Sequence, residues 1–156
     1  MEATDLMLKD WVFSKSISKP CQVIGIDPME GLGAQEGYTF KLAGPNRMTL
    51  FTHAVSVEPI TITPEILLKN GFKFVDGTQH NTSSRYVWME DGKRDGFIIE
   101  ITPYNPPVNG VKFLVRIDTE SSHEGGVNSI HICDIEYIHQ LQHAIKLCKI
   151  KKEIEL

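Results

Sequence analysis

Long hydrophobic runs are absent from this sequence of 156 residues, and cysteines are few. No apolar stretch approaches the roughly 20 residues that a helix needs to cross a bilayer. The acidic start, with Glu2 and Asp5, is unlike the basic region that begins a secretory signal. The cysteines Cys21, Cys133 and Cys148 form no C-x-x-C pair, which argues against a zinc knuckle and a thioredoxin-type site. We therefore expect a cytoplasmic protein with reduced thiols and no membrane association.

Recognisable catalytic and cofactor motifs are also missing. Gly31, Gly33 and Gly37 do not form G-x-G-x-x-G ahead of a helix, and neither G-K-[ST] nor G-x-S-x-G occurs. The net charge of -4 disfavours a dedicated nucleic-acid binder, because contact with phosphates requires a cationic surface. We expect no cofactor, and an enzyme only if its site is assembled from scattered residues.

The first 59 residues have the pattern of short β-strands separated by turns. Residues 21–26 and 38–42 are rich in β-branched and aromatic side chains, and residues 38–42 alternate apolar with polar. Gly44-Pro45-Asn46 predicts a turn before a further strand within residues 48–57. Such short strands enclose only a small core, and a strongly bent SH3-like β-barrel hides their edges economically. We therefore expect residues 1–59 to form a small β-rich, SH3-like unit.

Residues 60–156 begin with a strong helix signal. Thr63 is a hydroxyl N-cap, Pro64 occupies the first helical position, and Gly71 provides a C-terminal stop. Strand patterns then follow at residues 85–89, 97–101, 111–117 and 129–133. Because no long helix separates these strands, we expect one antiparallel sheet of about four strands.

A last helix is predicted over about residues 135–147. Ile138, Leu141 and Ile145 recur at helical spacing on one face, which we expect to cover the apolar side of the sheet. The prediction for the whole chain is therefore an α+β protein. It consists of a small SH3-like β-barrel-like N-terminal unit, a helix, an antiparallel sheet and a C-terminal covering helix.

Two groups of residues that include histidines are candidate chemical sites. Glu136, His139 and His143 project from one side of the last helix and could ligate a metal, although the order is not H-E-x-x-H. They also lie opposite the apolar stripe, so we favour a solvated helix face. His131 and Cys133 occupy positions i and i+2 of the last strand, but a Cys–His nucleophilic pair would need an orienting third group. An ordinary sheet face is the interpretation that we favour for them.

A third group of residues predicts a binding surface. The sheet face away from the closing helix could carry aromatic and basic side chains together, namely Arg85, Tyr86, Trp88, Lys112 and Arg116. Aromatic side chains interleaved with basic ones bind single-stranded nucleic acid or a polar protein partner. A solvated face that also packs against the N-terminal unit is the alternative, and it is the one that we favour.

Three segments carry a resemblance to a known family. They are the opening around Trp11 at residues 8–12, P-I-x-I-T-P-E-I-L-L-K-N-G-F at residues 59–72, and Y-I-H-Q-L-Q-H at residues 137–143. With these segments the chain resembles short uncharacterised proteins of Bacteroides-type bacteria, which are often encoded in prophages and other mobile elements. The resemblance implies a bacterial cytoplasm and no known activity, cofactor or catalytic residue.

These observations lead to one leading functional hypothesis and two alternatives. The leading hypothesis is a non-enzymatic binding or accessory module with a protein partner or a second copy of itself. One alternative is a single-stranded nucleic-acid binder that uses the aromatic and basic sheet face. The other is an enzyme whose scattered site includes His131, His139 or His143. A deep pocket lined by histidines and carboxylates would favour the enzyme, and an open apolar patch would favour a protein partner.

Overall fold

The computed structural model describes residues 6–28, 38–77, 83–89, 97–108, 111–120 and 127–156. Within them the chain is an α+β protein with two antiparallel sheets and two α-helices, which confirms the predicted fold class. The chain divides into two units. The first contains residues 1–61, 137–139 and 156, and the second contains residues 62–136 and 140–155. Neither unit is one continuous stretch of sequence, unlike the predicted division into residues 1–59 and 60–156.

The described part of the first unit contains a five-stranded antiparallel sheet. Its strands are β1 (Trp11–Ser14), β2 (Lys19–Pro28), β3 (Tyr38–Ala43), β4 (Thr49–His53) and β5 (Val57–Pro59). They lie in the order β4-β3-β2-β1-β5, so that the last strand pairs with the first. A single turn of 3-10 helix, Ala54–Ser56, leads from β4 into β5.

The core of the first unit follows from the alternation of side chains along its strands. Phe40 and Leu42 of β3 point inward and are buried, while Lys41 between them is partly exposed. The buried cluster consists of Leu6, Val12, Cys21, Val23, Phe40, Leu42 and Val57. Cys21 is therefore a core residue of the first unit.

The second unit contains the other sheet, the whole of the first helix and most of the last helix. Its elements are α1 (Pro64–Lys69), β6 (Lys73–Val75), β7 (Arg85–Met89), β8 (Phe97–Val108), β9 (Val111–Glu120), β10 (Val127–Ile135) and α2 (Ile138–Leu147). Within the described residues the strand order is β10-β9-β8-β7-β6, which is five strands where about four were expected. The sequence analysis missed β6 because three residues directly after α1 are too few to show a strand period.

The N-terminus of α1 has the cap that the sequence predicts. The Ile66 N–H donates a hydrogen bond to Thr63 Oγ1 at 3.4 Å, and Pro64 occupies the first turn. A hydrogen bond with Thr63 is the main cause that lowers the pKa of Glu65. At the other end, the Phe72 N–H donates to the Leu67 carbonyl at 3.1 Å, beyond a glycine with positive φ, which is a Schellman motif.

The start of α2 differs from its prediction. Ile135 is the last residue of β10, and the helix begins only at Ile138. The Ile138 N–H donates to the Ile60 carbonyl at 2.8 Å, and the Glu136 N–H donates to Gln140 Oε1 at 2.8 Å. These bonds satisfy backbone donors near the helix start, where no partner exists within the helix. Among the described residues, no helix is long and apolar enough to span a membrane.

Candidate functional site

A row of charged side chains crosses one face of the second sheet. Glu100 of β8 lies opposite Arg116 of β9, and Arg116 lies opposite His131 of β10. Residues directly opposite each other in an antiparallel pair point to the same side. Arg85 of β7 joins the row, since its Nε lies 2.9 Å from Glu100 Oε1. We call this surface the charged face, and it consists of Arg85, Glu100, Arg116, His131 and Asp134.

A β-bulge places Asp134 on the charged face beside His131. In a regular strand, positions i and i+3 point to opposite sides. The register of β10 shifts by one residue between His131 and Cys133, so Asp134 lies opposite Leu114, two residues before Arg116. His131 Nε2 is consequently 3.1 Å from Asp134 Oδ1. The pair lies at the surface, with 52% and 41% of the two side chains exposed.

The same bulge separates His131 from Cys133. Cys133 lies opposite Val115, and Val115 points away from Arg116 along β9. The thiol is therefore on the other face of the sheet, and the i, i+2 rule that suggested a shared face does not hold across the bulge. Within the described residues the structure does not bring a Cys–His nucleophilic pair together at this strand.

The predicted aromatic and basic surface is divided between the two faces of the sheet. Tyr86 lies opposite Ile101 and Trp88 lies opposite Ile99, and both isoleucines are fully buried. Tyr86 is itself only 9% exposed. Arg85 lies next to Tyr86 in β7 and therefore points to the opposite side. We call the side that carries the two aromatic residues the covered face.

The remaining predicted residues of that surface have different positions. Arg116 is exposed on the charged face. Lys112 belongs to β9, but its side chain lies outside the described residues. Trp88 on the covered face is approached by the chain that follows α2, because Lys152 Nζ lies 5.7 Å from the centre of its ring. Burial lowers the pKa of Lys152, and the carboxylate of Glu155 opposes this shift.

The candidate metal ligands of the last helix are also placed differently from the prediction. Glu136 precedes α2, and His139 is buried with 4% of its surface exposed, whereas a solvated face was expected. The ring of His139 stacks on Tyr137 with their centres 5.8 Å apart. His143 is partly buried. In the part of the chain that the structure describes, no group of three or more His, Cys, Asp and Glu side chains is placed to hold a metal ion.

Sequence reasoning missed two members of the charged face, Glu100 and Asp134. Among residues 97–101, an otherwise apolar strand segment, Glu100 is the only charged residue, which is a signal that could have been used. Asp134 gave no comparable signal, because the face of the sheet that carries its side chain depends on the β-bulge in β10.

No protein-family model, no curated protein and no solved structure matches this chain. The function must therefore be argued from the geometry of the charged face.

Proposed function

We propose that this chain is a non-enzymatic binding module that binds a protein partner through the charged face. The observation that carries the proposal is the alternation of charge across three neighbouring strands. Glu100 is acidic and Arg116 opposite it is basic, and β10 adds the ionisable His131 with the acidic Asp134. A surface of mixed sign matches a polypeptide that carries both charges better than it matches a uniform polyanion.

The nucleic-acid alternative is weakened by the register of the second sheet. Single-stranded nucleic acid needs basic side chains and stacking rings on the same surface. Arg85 and Arg116 lie on the charged face, whereas Tyr86 and Trp88 lie on the covered face. A base that contacts the arginines would find neither of these two rings beside it. The charged face therefore suits a protein partner better.

The enzyme alternative keeps one specific observation in its favour. The 3.1 Å contact between His131 and Asp134 is the arrangement by which a carboxylate orients a general base. Arg116 lies opposite His131 and could stabilise a developing anion. The pair is exposed, however, and water competes strongly for groups on an open surface. We rank catalysis second for this reason.

An SH3-like barrel in the first unit forms part of the same proposal. The pairing of β5 with β1, and the 3-10 turn that precedes β5, support a sheet that bends towards closure. Small barrels of this kind serve many functions, and binding is one of them. The resemblance to mobile-element proteins adds that the module would serve a phage or mobile element in a bacterial cytoplasm.

Charge reversal tests the proposal directly. We expect Arg116→Glu to abolish capture of a partner from the lysate of the native host, because the reversal places a third acidic group beside Glu100 and Asp134 on the charged face. Lys146→Glu, an exposed change on α2, is the matched control and should leave capture intact. The capture should persist after nuclease treatment and weaken as salt rises.

Three outcomes of the same experiment would contradict the proposal. Equal capture by the wild-type chain and Arg116→Glu would remove the charged face from partner binding. Binding of an oligo-dT probe that is lost in Arg116→Glu would favour the nucleic-acid alternative. Hydrolysis of a generic ester that is lost in both His131→Ala and Asp134→Asn would favour the enzyme.

A further inference from the structure

The two edges of the first sheet differ in how well they are protected. Within the described residues, the strands at these edges are β4 and β5. Short strands and prolines keep an edge from pairing with another chain, and β5 has both, with three residues and Pro59 at its end. β4 reads Thr-Leu-Phe-Thr-His, with no proline and no Asp, Glu, Lys or Arg, and it pairs with β3 without a bulge. β4 therefore lacks the features that block an edge.

The backbone of β4 directs hydrogen-bonding groups outward at this edge. At the turn between β3 and β4, the Gly44 N–H donates to the Met48 carbonyl at 2.8 Å. Hydrogen-bonded positions alternate along an antiparallel ladder, so Leu50 and Thr52 are the residues of β4 that bond to β3. The N–H and C=O groups of the other three residues point away from β3, and no strand of the described chain pairs with them. We call these residues the open edge: Thr49, Phe51 and His53.

Exposed apolar side chains accompany the open edge. Phe51 at its centre is 69% exposed, Met48 just before β4 is 39% exposed, and Val55 just after it is 81% exposed. Outward N–H and C=O groups are satisfied by an extended polypeptide that adds a strand to the sheet. Apolar side chains around such an edge indicate a protein interface. The occupant that fits is therefore an uncharged β-strand with apolar side chains.

β4 is itself such a strand, and its register allows two copies to pair. With a two-fold axis at Phe51, the Phe51 residues of the two copies lie opposite each other, and Thr49 lies opposite His53 of the second copy. Every outward N–H and C=O group of the open edge then receives a partner, and no like charges lie opposite each other. The axis also brings Met48 at the start of one strand near Val55 after the end of the other. The edge is thus self-complementary, as a two-fold interface requires.

We propose that a second copy of this chain pairs with the open edge, with β4 antiparallel to β4 about a two-fold axis at Phe51. The first sheets of the two copies then form one continuous sheet. Lys41 lies opposite Phe51 in β3, with its Nζ 5.7 Å from the centre of the ring. The Lys41 residues of the two copies are three strand spacings apart, or about 14 Å, which exceeds the Debye length of about 8 Å at physiological salt. Their repulsion is therefore screened.

The proposed dimer is weak and reversible. Its contact consists of one five-residue strand and the side chains beside it, and interfaces that bury less than about 1,200 Å² form transient complexes. The open edge belongs to the first unit, whereas the charged face belongs to the second. The dimer is therefore independent of the proposed function, and Arg116→Glu should not change it.

Sedimentation equilibrium of the full chain tests the dimer. From about 10 μM to 1 mM, a range suited to a weak complex, we expect the mean mass to rise from one chain towards two. Phe51→Glu should weaken the dimer about ten-fold or more, because two opposed carboxylates replace an aromatic pair. The new carboxylate lies opposite Lys41 in its own chain, so the fold should be retained. Leu147→Glu on α2, where Leu147 is 76% exposed, is the matched control and should dimerise like the wild type.

Two double variants test the register of the pairing. Thr49→Glu with His53→Lys places opposite charges across the axis, whereas Thr49→Lys with His53→Lys places like charges there. Within one chain the two positions are four residues apart, or about 13 Å, so these charges interact mainly between copies. We expect the first double variant to dimerise about ten-fold more tightly than the second. Net charge alone predicts the reverse order, because the second variant is closer to neutral.

Three results would overturn the proposal. The first is a wild-type chain that stays monomeric at about 1 mM. The second is a dimer that Phe51→Glu leaves intact, or equal dimerisation of the two double variants. The third is a monomeric chain that captures a different protein from the host lysate and loses it in Phe51→Glu, which would assign the open edge to that protein. Circular dichroism checks that each variant is folded, and the double variants change only exposed side chains.

Discussion

At the scale of single residues, both helices are followed by a residue in the left-handed backbone region, but the type of residue differs. The second residue after the end of α1 is Gly71 with φ +79°, whereas the second residue after the end of α2 is Lys149 with φ +58°. The Ile150 N–H donates to the Ile145 carbonyl at 3.1 Å, so α2 has the same Schellman bond as α1. A side chain in the left-handed region costs roughly 1–2 kcal/mol, and glycine avoids this cost.

This difference predicts that Lys149→Gly stabilises the protein. The free energy of unfolding should rise by about 0.5–1 kcal/mol, because relief of backbone strain outweighs the larger entropy of glycine in the unfolded chain. Urea denaturation monitored by circular dichroism measures the change. Lys146→Gly is the control within α2, and it should lower stability by about 1 kcal/mol. A loss of stability for Lys149→Gly would show that the left-handed backbone is not strained.

At the scale of elements, α2 has one buried side and one exposed side. The apolar stripe predicted from the sequence is confirmed, since Ile138, Leu141 and Ile145 are each at most 3% exposed. Lys146 is exposed on the other side. A substitution of Gln140 would change the stability of the helix, because Gln140 Oε1 accepts a hydrogen bond from the Glu136 N–H near the helix start. The helix is thus held both by burial and by its first turn.

Truncation of a side chain in the buried apolar stripe of α2 should strongly reduce the stability of the protein. We expect Leu141→Ala to reduce the free energy of unfolding by about 2–5 kcal/mol, because it loses apolar burial and leaves a cavity. The exposed control Lys146→Ala should change it by less than about 0.5 kcal/mol. Thermal melting of both variants beside the wild type gives the comparison. Equal and small effects would mean that α2 does not hold the fold together.

At the scale of the whole molecule, Asn70 joins parts of the chain that are 85 residues apart. Its Nδ2 donates to the carbonyls of Ile66 and Glu155, each at 2.9 Å. Its Oδ1 accepts from the Glu155 N–H at 2.8 Å. The side chain is only 6% exposed, so these bonds are shielded from water. The end of α1 thereby fixes the segment after α2 within the second unit.

Asn70→Asp tests this link without changing the size of the side chain. The carboxylate keeps an acceptor for the Glu155 N–H but loses the donor for two carbonyls, so we expect a loss of about 2–4 kcal/mol near neutral pH. The folded state favours the protonated form, which raises the pKa of the new group above its unfolded value. Part of the stability should therefore return at acid pH and disappear as the pH rises. Denaturant melts beside the wild type at both pH values measure this, and a deficit that does not depend on pH would refute the link.

Local signals were sufficient to predict α1. A cap at Thr63, a proline and Gly71 act within a few residues of each other, so their pattern is visible in the sequence. The start of α2 was wrong by three residues because Ile135 suits a strand as well as a helix. The three residues of β6 are too few to show the two-residue alternation of a strand. Its pairing with β7 depends on a strand that lies ten residues further along the chain.

The candidate site depended on interactions that the sequence does not display. By itself the sequence determined which residues are charged, aromatic or apolar, and where local turns and caps form. Only the tertiary structure decided that a bulge turns Asp134 towards His131, that Tyr86 lies under cover while Arg116 is exposed, and that His139 is buried. The physical reason is that a one-residue change of register moves a side chain to the other face, and partner strands select that register.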